Sequence, residues 1–381
     1  SGDPELLARA ALGAGGLGVT IGPPDMELAG LLEEAAAGLP AGASALRARL
    51  LGRLATELYY EDRARADALS REAVAAARAC GDPGAVATAL NARRVAIWDI
   101  EHAQERLATA TEMVSQAERA GDPELVLQGR NWRVLDLMEL GRIDEARAEI
   151  DAYAVGADAL ALPHYRWWVP MWAATLALMA GRGEEAARLG EQALALGNRA
   201  DDPNAELFVG IQRLWGSTGP ESFSERELAD IEAAMASSPA PWAWMTGLAW
   251  ANAALGRTEA ARELVDRLMR DDLAELRLDA NWHAVLDLCE ALAVLGDGAR
   301  AERLYAHLAP FAGLHAVAAR AVLWYGPVDH FLGLLALTAG DPARAEGHLV
   351  AALAESEAIG AAPRAASTRA LLDRARAATA G

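Results

Sequence analysis

The tripeptide Gly-Asp-Pro occupies residues 81–83 and returns at residues 121–123, and a related Asp-Asp-Pro occupies residues 201–203. An earlier Gly-Asp-Pro lies at residues 2–4. In such a tripeptide, glycine can adopt the left-handed conformation that ends a helix. Aspartate can then cap the next helix, and proline fits the first turn of that helix. Each copy therefore predicts the end of one helix and the start of another.

A second kind of turn alternates with the first and consists of a glycine followed by a charged residue. The segments after these glycines are rich in Ala, Leu, Glu and Arg, which are strong helix formers. The glycines are Gly141, Gly181, Gly256, Gly296 and Gly340. Two turns in about every 40 residues are the signature of stacked helical hairpins.

The turns predict an all-α, right-handed superhelix of antiparallel helical hairpins with a repeat of about 40 residues. We expect N-terminal helices and a Gly/Pro loop over residues 1–42, and the solenoid over residues 43–381 with an irregular joint near 216–222. No segment alternates with the period of a strand, so we expect almost no sheet. The predicted hairpins cover residues 43–80, 83–120, 123–158, 163–199, 203–237, 239–270, 277–310 and 319–360, followed by a last helix over 363–379.

Composition limits the classes of function. The chain has 381 residues, and its 35 basic residues are all arginine against 54 acidic residues, which gives a net charge of −19. Without lysine, the chain has neither the lysine of a phosphate-binding Walker loop nor a Schiff-base lysine. Its negative charge opposes binding to a nucleic-acid backbone. We therefore expect no direct contact with nucleic acid.

The cysteines and apolar segments indicate the cellular setting. Cys80 and Cys289 are too few for a disulfide framework, so we expect a reducing, cytoplasmic location. No apolar run is long enough to span a bilayer, so we expect no membrane partner. The chain begins at Ser1-Gly2 without methionine, and we therefore expect it to be part of a longer polypeptide.

An apolar row on the first helix of several hairpins predicts the core. Trp167, Trp242 and Trp282 each stand at the same distance before the glycine that ends the helix. The positions four, seven and eleven places after Trp167 and Trp282 share the helix face of the tryptophan, and they are apolar as well. We expect this row to be buried, with small residues allowing the helices to approach closely.

A different face of the same helices mixes aromatic and charged residues, which is typical of a binding groove. We predict a groove for a ligand or partner on this face. A structural alternative is that the tryptophans pack between repeats while the arginines and aspartates pair with each other. The predicted groove residues are Arg93, Trp132, Arg133, Asp136, Trp172, Trp250 and Asp287.

The sequence contains no convincing catalytic or cofactor motif. Gly13, Gly15 and Gly18 match the glycine spacing of a dinucleotide site, but they follow a helix-like segment instead of a strand. Asp329 and His330 are adjacent, and adjacent helical residues do not face one another. The histidines and cysteines lack the spacing of a zinc site. We therefore predict no enzyme activity, no metal and no cofactor.

Several segments of the chain carry a resemblance to a known family. They are residues 3–10, Asn91-Ala92-Arg93 with Trp98, Trp132-Arg133-Val134 with Asp136-Leu137, residues 164–167, residues 279–282 and residues 325–329. These segments resemble the tetratricopeptide-like region of actinobacterial large ATP-binding LuxR-type transcription regulators, which are similar in plan to the maltose regulator, and of related ATPase proteins with an adenylate-cyclase domain. The resemblance extends over nearly the whole chain, although the repeat of this chain is longer than the usual tetratricopeptide length of about 34 residues.

The resemblance implies a tetratricopeptide-like fold that serves as a sensor array within a multidomain regulator. An ATPase module and a DNA-binding module would lie on the same parent polypeptide, and the array would bind a small-molecule effector, or a protein or peptide, in its concave groove. The sensor acts if the effector binds one conformation better than another. The alternative is a free-standing tetratricopeptide-type scaffold for protein–protein interactions.

Overall fold

The computed structural model divides the chain into two compact units. The first unit comprises Ser1–Asp136 and Ala148–Ala161, and the second comprises Leu137–Arg147 and Leu162–Gly381. The boundary predicted at residue 42 stays a prediction. The residues that the structure describes are 4–13, 25–40, 42, 44–216, 223–238, 240–270, 273, 276 and 278–380. Gly2, Asp3, Gly15, Gly18 and all of the predicted irregular joint except Gly216 lie outside these residues.

The described residues are overwhelmingly helical, and the helices follow one another as the predicted hairpins. The first eight helices are α1 (Pro4–Gly13), α2 (Met26–Gly38), α3 (Ala45–Glu57), α4 (Arg63–Cys80), α5 (Pro83–Ala96), α6 (Ala103–Ala120), α7 (Pro123–Glu139) and α8 (Ile143–Leu160). The next six are α9 (Pro163–Arg166), α10 (Trp168–Met179), α11 (Gly183–Arg199), α12 (Ala205–Trp215), α13 (Glu225–Ser237) and α14 (Pro241–Ala254). The last six are α15 (Thr258–Leu268), α16 (Val285–Leu295), α17 (Gly298–Leu308), α18 (Val328–Thr338), α19 (Pro342–Ala358) and α20 (Ala362–Ala380). The chain thus has the predicted all-α helical-repeat fold.

The Gly-Asp-Pro turns have the predicted geometry. Gly81 ends α4 with a φ of 71°, and α5 begins at Pro83. The Asp82 side chain accepts a hydrogen bond of 2.6 Å from the backbone N–H of Ala85 and so caps α5. The same arrangement recurs in the next repeat, where Asp122 caps α7. One tripeptide therefore closes one helix and opens the next.

The second kind of turn is also confirmed. Each of its predicted glycines has a positive φ, the backbone conformation that side chains with a Cβ adopt only at a cost. The values are 69° at Gly141, 77° at Gly181, 75° at Gly256, 65° at Gly296 and 85° at Gly340. The alternation of two turn types predicted from the sequence is therefore present in the backbone.

The Asp-Asp-Pro turn departs from the prediction, because α12 begins at Ala205 and not at Pro203. Asp201 has a φ of 50°, a left-handed conformation without a glycine. Asp202 accepts from the backbone N–H of Asn204 at 3.0 Å and from Trp167 Nε1 at 3.1 Å. Asp202 thus links the turn to Trp167, the residue before α10. Helix α12 begins two residues after its predicted start at Pro203.

The predicted apolar row forms part of the core of the second unit. Trp167, Met171 and Ala174 are fully buried, and Trp282 is 1% exposed. The indole N–H of Trp282 donates to Glu139 Oε1 at 3.0 Å, so this large side chain has its polar atom satisfied within the core. Trp242, the third tryptophan of the row, is only half-buried.

A short β-hairpin interrupts the helical pattern of the second unit. The strands β1 (His315–Ala318) and β2 (Leu323–Pro327) pair antiparallel, so the helical hairpin predicted over 319–360 is wrong at its start and begins with α18 at Val328. Thr175 Oγ1 donates to the carbonyl of Val322 at 2.7 Å, and Gln212 Nε2 donates to the same carbonyl at 2.8 Å. Side chains of α10 and α12 therefore hold the turn of the hairpin.

The C-terminal helix of the second unit returns to its first helices. Helix α20 packs against α10. A Cβ on Gly181 would lie only 3.2 Å from Pro363 Cγ, which shows how closely the start of α20 approaches the end of α10. Arg147 Nη2 also donates to the carbonyl of Ile359 at 3.2 Å, just before α20 begins.

In the described part of the chain, no helix is long and apolar enough to cross a membrane.

Candidate functional site

A large cavity lies within the second unit. Its volume is about 1150 Å³, slightly above the range of about 300–1,000 Å³ that is usual for pockets that bind small organic ligands. Residues from α10, α11, α12, α14, α16, α18 and α20 line it, and β2 completes the wall. The cavity therefore depends on the two features just described, the β-hairpin and the return of α20 to α10.

Three buried tryptophans line this cavity. Trp215, Trp250 and Trp324 are between 4% and 7% exposed. Neighbouring rings pack against each indole and restrict its movement: Trp244 against Trp215 and Phe223 against Trp250, at centroid distances of 5.8 and 4.9 Å. For Trp324 the neighbour is His315, whose Nδ1 accepts from the indole Nε1 at 3.1 Å. The cavity thus offers flat, rigid apolar walls.

The indole N–H of Trp250 is a polar group without a partner. Its Nε1 atom is buried and makes no hydrogen bond to any of the described residues. A buried donor left without an acceptor costs free energy, commonly about 1–3 kcal/mol. This unsatisfied donor belongs to a residue of the cavity wall.

A half-buried arginine forms the main polar feature of the cavity. Arg364, in the first turn of α20, donates from Nη1 to His330 Nε2 at 2.8 Å. His330 Nδ1 then donates to Thr368 Oγ1 at 2.8 Å, and that hydroxyl donates to the carbonyl of Arg364 at 2.7 Å. Because arginine is always a donor, this chain of bonds fixes the histidine proton on Nδ1. Burial, together with the charge of Arg364, holds the pKa of His330 well below its usual value, so the imidazole is neutral.

The guanidinium of Arg364 has no carboxylate at salt-bridge distance among the described residues. Glu290 also lines the cavity, and burial raises the pKa of its carboxyl although the charge of Arg364 acts in the opposite direction. Burial lowers the pKa of Arg364, and the charge of Glu290 opposes that shift. The two groups therefore influence each other at a distance without forming an ion pair.

A second polar group lies beside the cavity on α16. Asp287 is 2% exposed, and burial raises the pKa of its carboxyl well above the usual value, with the charge of Glu290 adding to the shift. Burial also raises the pKa of Tyr325, a lining residue, and the charge of Asp287 contributes. The ring of His283 lies 5.7 Å from that of Tyr325, and burial lowers the pKa of this histidine to about 4.

The four predicted groove residues of the first unit are engaged with protein partners. Trp132 is fully buried, and its Nε1 donates to Asn91 Oδ1 at 2.7 Å. Arg93 pairs with acidic side chains, and Arg133 Nη2 lies 3.1 Å from Glu149 Oε2. Asp136 is fully buried and accepts from two arginines. These contacts match the structural alternative considered for the mixed face, and ligand binding by these four residues stays a prediction.

The other three predicted residues lie in the second unit, and one of them lines the cavity. Trp172 is fully buried, and its Nε1 donates to the carbonyl of Arg320 at 2.9 Å. Asp287 lies beside the cavity without lining it, whereas Trp250 is part of the wall. Sequence reasoning missed the polar lining residues, among them Arg364 and His330. The available signal was the spacing of Arg364, Ser367, Leu371 and Arg374, which places them on one face of α20.

The motifs dismissed from the sequence have structural roles. Asp329 accepts from the backbone N–H of Gly313 at 2.6 Å and from His348 at 2.7 Å, while the adjacent His330 points to Thr368 and Arg364. Gly13 is the last residue of α1. Within the described ranges, no group of three or more His, Cys, Asp or Glu side chains could hold a metal ion.

Comparison with known proteins adds little to this description. No family model matches the chain, and the search of curated proteins finds no match. Among solved structures, the chain is similar to a circular tandem repeat protein with a novel repeat topology and enhanced subunit contact surfaces, at 15% identity and a TM-score of 0.22. The match covers 99% of this chain and 94% of that chain. At this TM-score, the similarity supports no argument about function.

Proposed function

We propose that the chain is a non-catalytic binding domain and that the cavity of its second unit holds a small-molecule effector. The observation that carries this proposal is the cavity itself, about 1150 Å³ in volume and walled by buried tryptophans. Helical-repeat folds are typical of binding proteins, because their stacked hairpins present extended surfaces without catalytic machinery. A few polar groups in a largely apolar cavity are the usual arrangement for a ligand site.

We further propose that this binding domain is the sensor portion of a multidomain, ATP-dependent transcription regulator. The resemblance to LuxR-type regulators and the absence of lysine support this proposal, since ATP binding and DNA binding would then belong to other modules of the parent polypeptide. The gene provides the test. An upstream Walker motif and a downstream helix-turn-helix in the same reading frame are expected, and a gene encoding neither would contradict the regulator assignment.

The binding test uses a neutral fluorescent dye, N-phenyl-1-naphthylamine, which emits strongly only in apolar surroundings. We expect saturable binding to the 381-residue chain. Ala293, a half-buried lining residue on α16, is replaced by Trp to fill the cavity, and Ala306→Trp on the exposed face of α17 is the matched control. The first variant should weaken dye binding about tenfold or more, whereas the control should bind as the original chain does. Equal binding by all three proteins would place the dye elsewhere and contradict the proposal.

A second candidate function is a protein-interaction scaffold, the ordinary use of helical-repeat proteins. The repeat fold itself favours it, because it needs no internal cavity. The two functions differ in what the purified chain carries. If the cavity is an effector site, mass spectrometry after denaturation of the purified chain should detect a released small molecule in a stoichiometric amount. A chain that carries none and fails the dye test would favour the scaffold.

A further inference from the structure

We propose that the cavity of the second unit is selective for an organic anion, with an apolar or aromatic body and one carboxylate or sulfonate group that binds Arg364. This inference rests on the proposed function and adds the chemical class of the ligand. The anionic group would accept hydrogen bonds from the guanidinium, and the body would lie against the walls formed by Trp215, Trp250 and Trp324.

Arg364 is arranged as an anion-binding group. Its bond to His330 uses one N–H and holds the guanidinium plane in place, since His330 is itself fixed by Thr368. The guanidinium has further N–H groups, and no carboxylate of the described residues lies within ion-pair distance. Arginine donates to a carboxylate or sulfonate through two parallel N–H groups. A ligand anion would thus supply the charge partner that the protein itself does not.

The histidine beside Arg364 is suited to this role. A protonated imidazole could no longer accept from Arg364 and would repel its charge. His330 is 2% exposed and directs its acceptor atom towards Arg364 and its donor atom towards Thr368. It therefore orients the guanidinium as a neutral acceptor and adds no charge of its own.

The charges around the cavity also favour an anion. The lining contains three arginines and two glutamates, in a chain whose net charge is −19. Arg213 is neutralised by Glu191 at 2.5 Å, which leaves Arg364 and Arg374 against Glu290 alone. The polar groups of the cavity therefore favour a ligand that brings acceptors and negative charge.

A matched pair of dyes tests the inference on the unmodified chain. The compound 8-anilinonaphthalene-1-sulfonate has the same ring skeleton as N-phenyl-1-naphthylamine and carries a sulfonate in addition. Hydrogen bonds to a charged group predict that the anionic dye binds about tenfold or more tightly than the neutral dye. Both dyes should be displaced by 1-naphthoate, and 1-naphthylmethanol should displace them less effectively. Equal affinity for the two dyes, or tighter binding of 1-naphthylmethylammonium than of 1-naphthoate, would overturn the inference.

Variants of α20 locate the anion. Arg364→Met should remove the preference for the anionic dye, so that the two dyes bind the variant with similar affinity. Arg376→Met is the matched control, because Arg376 lies on the same helix, is 55% exposed and pairs with Glu346 outside the cavity. Arg364→Lys keeps the positive charge without the two parallel N–H groups and should retain part of the preference for the anionic dye. This variant also tests the inference if Arg364→Met fails to fold. A preference that survives in Arg364→Met would contradict the assignment of the anion to this residue.

The two levels of the proposal fail in different ways. If the neutral dye does not bind, or binds independently of Ala293→Trp, the cavity is not a ligand site and the proposed function is wrong. If the neutral dye binds in the cavity but the sulfonate gives no advantage, the proposed function stands and the anion preference alone is wrong.

Discussion

Single residues in the first unit carry an unusual amount of buried charge. Arg94, Arg106 and Asp136 are all fully buried, and one carboxylate accepts from both guanidiniums at 2.5 and 2.6 Å. The guanidinium of Arg94 also lies 3.9 Å from the centre of the Trp132 ring and 4.8 Å from that of Trp98. Two aromatic faces thus add to the stabilisation that the shared aspartate provides.

Removal of the central carboxylate should be strongly destabilising. Asp136→Asn removes the negative charge that two buried guanidiniums share, and breaking a buried pair in this way typically costs about 3–5 kcal/mol. Urea unfolding followed by circular dichroism measures the loss. Glu112→Gln is the control, since Glu112 pairs with Arg78 at the surface and should change the free energy of unfolding by less than about 0.5 kcal/mol. A loss under about 1 kcal/mol for Asp136→Asn would show that other groups stabilise the arginines.

At the scale of helices and strands, the sequence predicted turns that depend on neighbouring residues. It did not predict structure that depends on contacts between distant residues. The turn at Gly296 needs only its own backbone and a following aspartate, and it forms as predicted. The β-hairpin has an alanine-rich turn in which Ala319 and Ala321 have positive φ values. Hydrogen bonds from Thr175 and Gln212, which are distant in the chain, hold that turn. The sequence around the turn gives no sign of these hydrogen bonds.

Helical glycines show the same contrast between local propensity and packing. Gly347 in α19 has open space around it, so Gly347→Ala should stabilise the protein by about 0.5–1 kcal/mol through helix propensity. A Cβ on Gly333 in α18 would lie 2.5 Å from Cγ of the buried Leu349. Gly333→Ala should therefore destabilise by about 1–3 kcal/mol, despite the same gain in propensity.

Thermal unfolding of the two glycine variants measures these effects. The original chain is the reference for both, and each variant adds one methyl group to the middle of a helix. The melting temperature should rise for Gly347→Ala and fall for Gly333→Ala. A rise for both would mean that Leu349 moves aside without cost and that α18 and α19 are less tightly packed than the contact indicates.

For the whole molecule, the sequence predicted the repeat but not the cavity. The faces of the inner helices could be recognised, yet burial of Trp132 and Trp172 depends on which helices cover them. Arg364 resembled any arginine of an amphipathic helix. It becomes a lining residue only because α20 returns to α10, a contact that repeat spacing does not encode.

The net charge of the molecule sets its behaviour towards polyanions. With a charge of −19 and no lysine, the chain should show no saturable binding to a DNA duplex of about 30 base pairs at about 150 mM salt. An electrophoretic mobility assay measures this, with a basic DNA-binding domain as the positive control. Retardation that saturates and weakens with added salt would contradict the expectation and would assign a DNA contact to this chain.

The return of α20 to α10 also has a consequence for the time course of folding. Gly181 and Pro363 are separated by nearly half of the chain, and contacts between such distant positions form late. On the ribosome, Trp215 is made well before Arg364, and the interval between them is roughly 8–30 s at usual elongation rates. Until α20 is made and docks, the apolar wall residues that it covers lack that cover, and we expect the second unit to be more prone to aggregation during this interval.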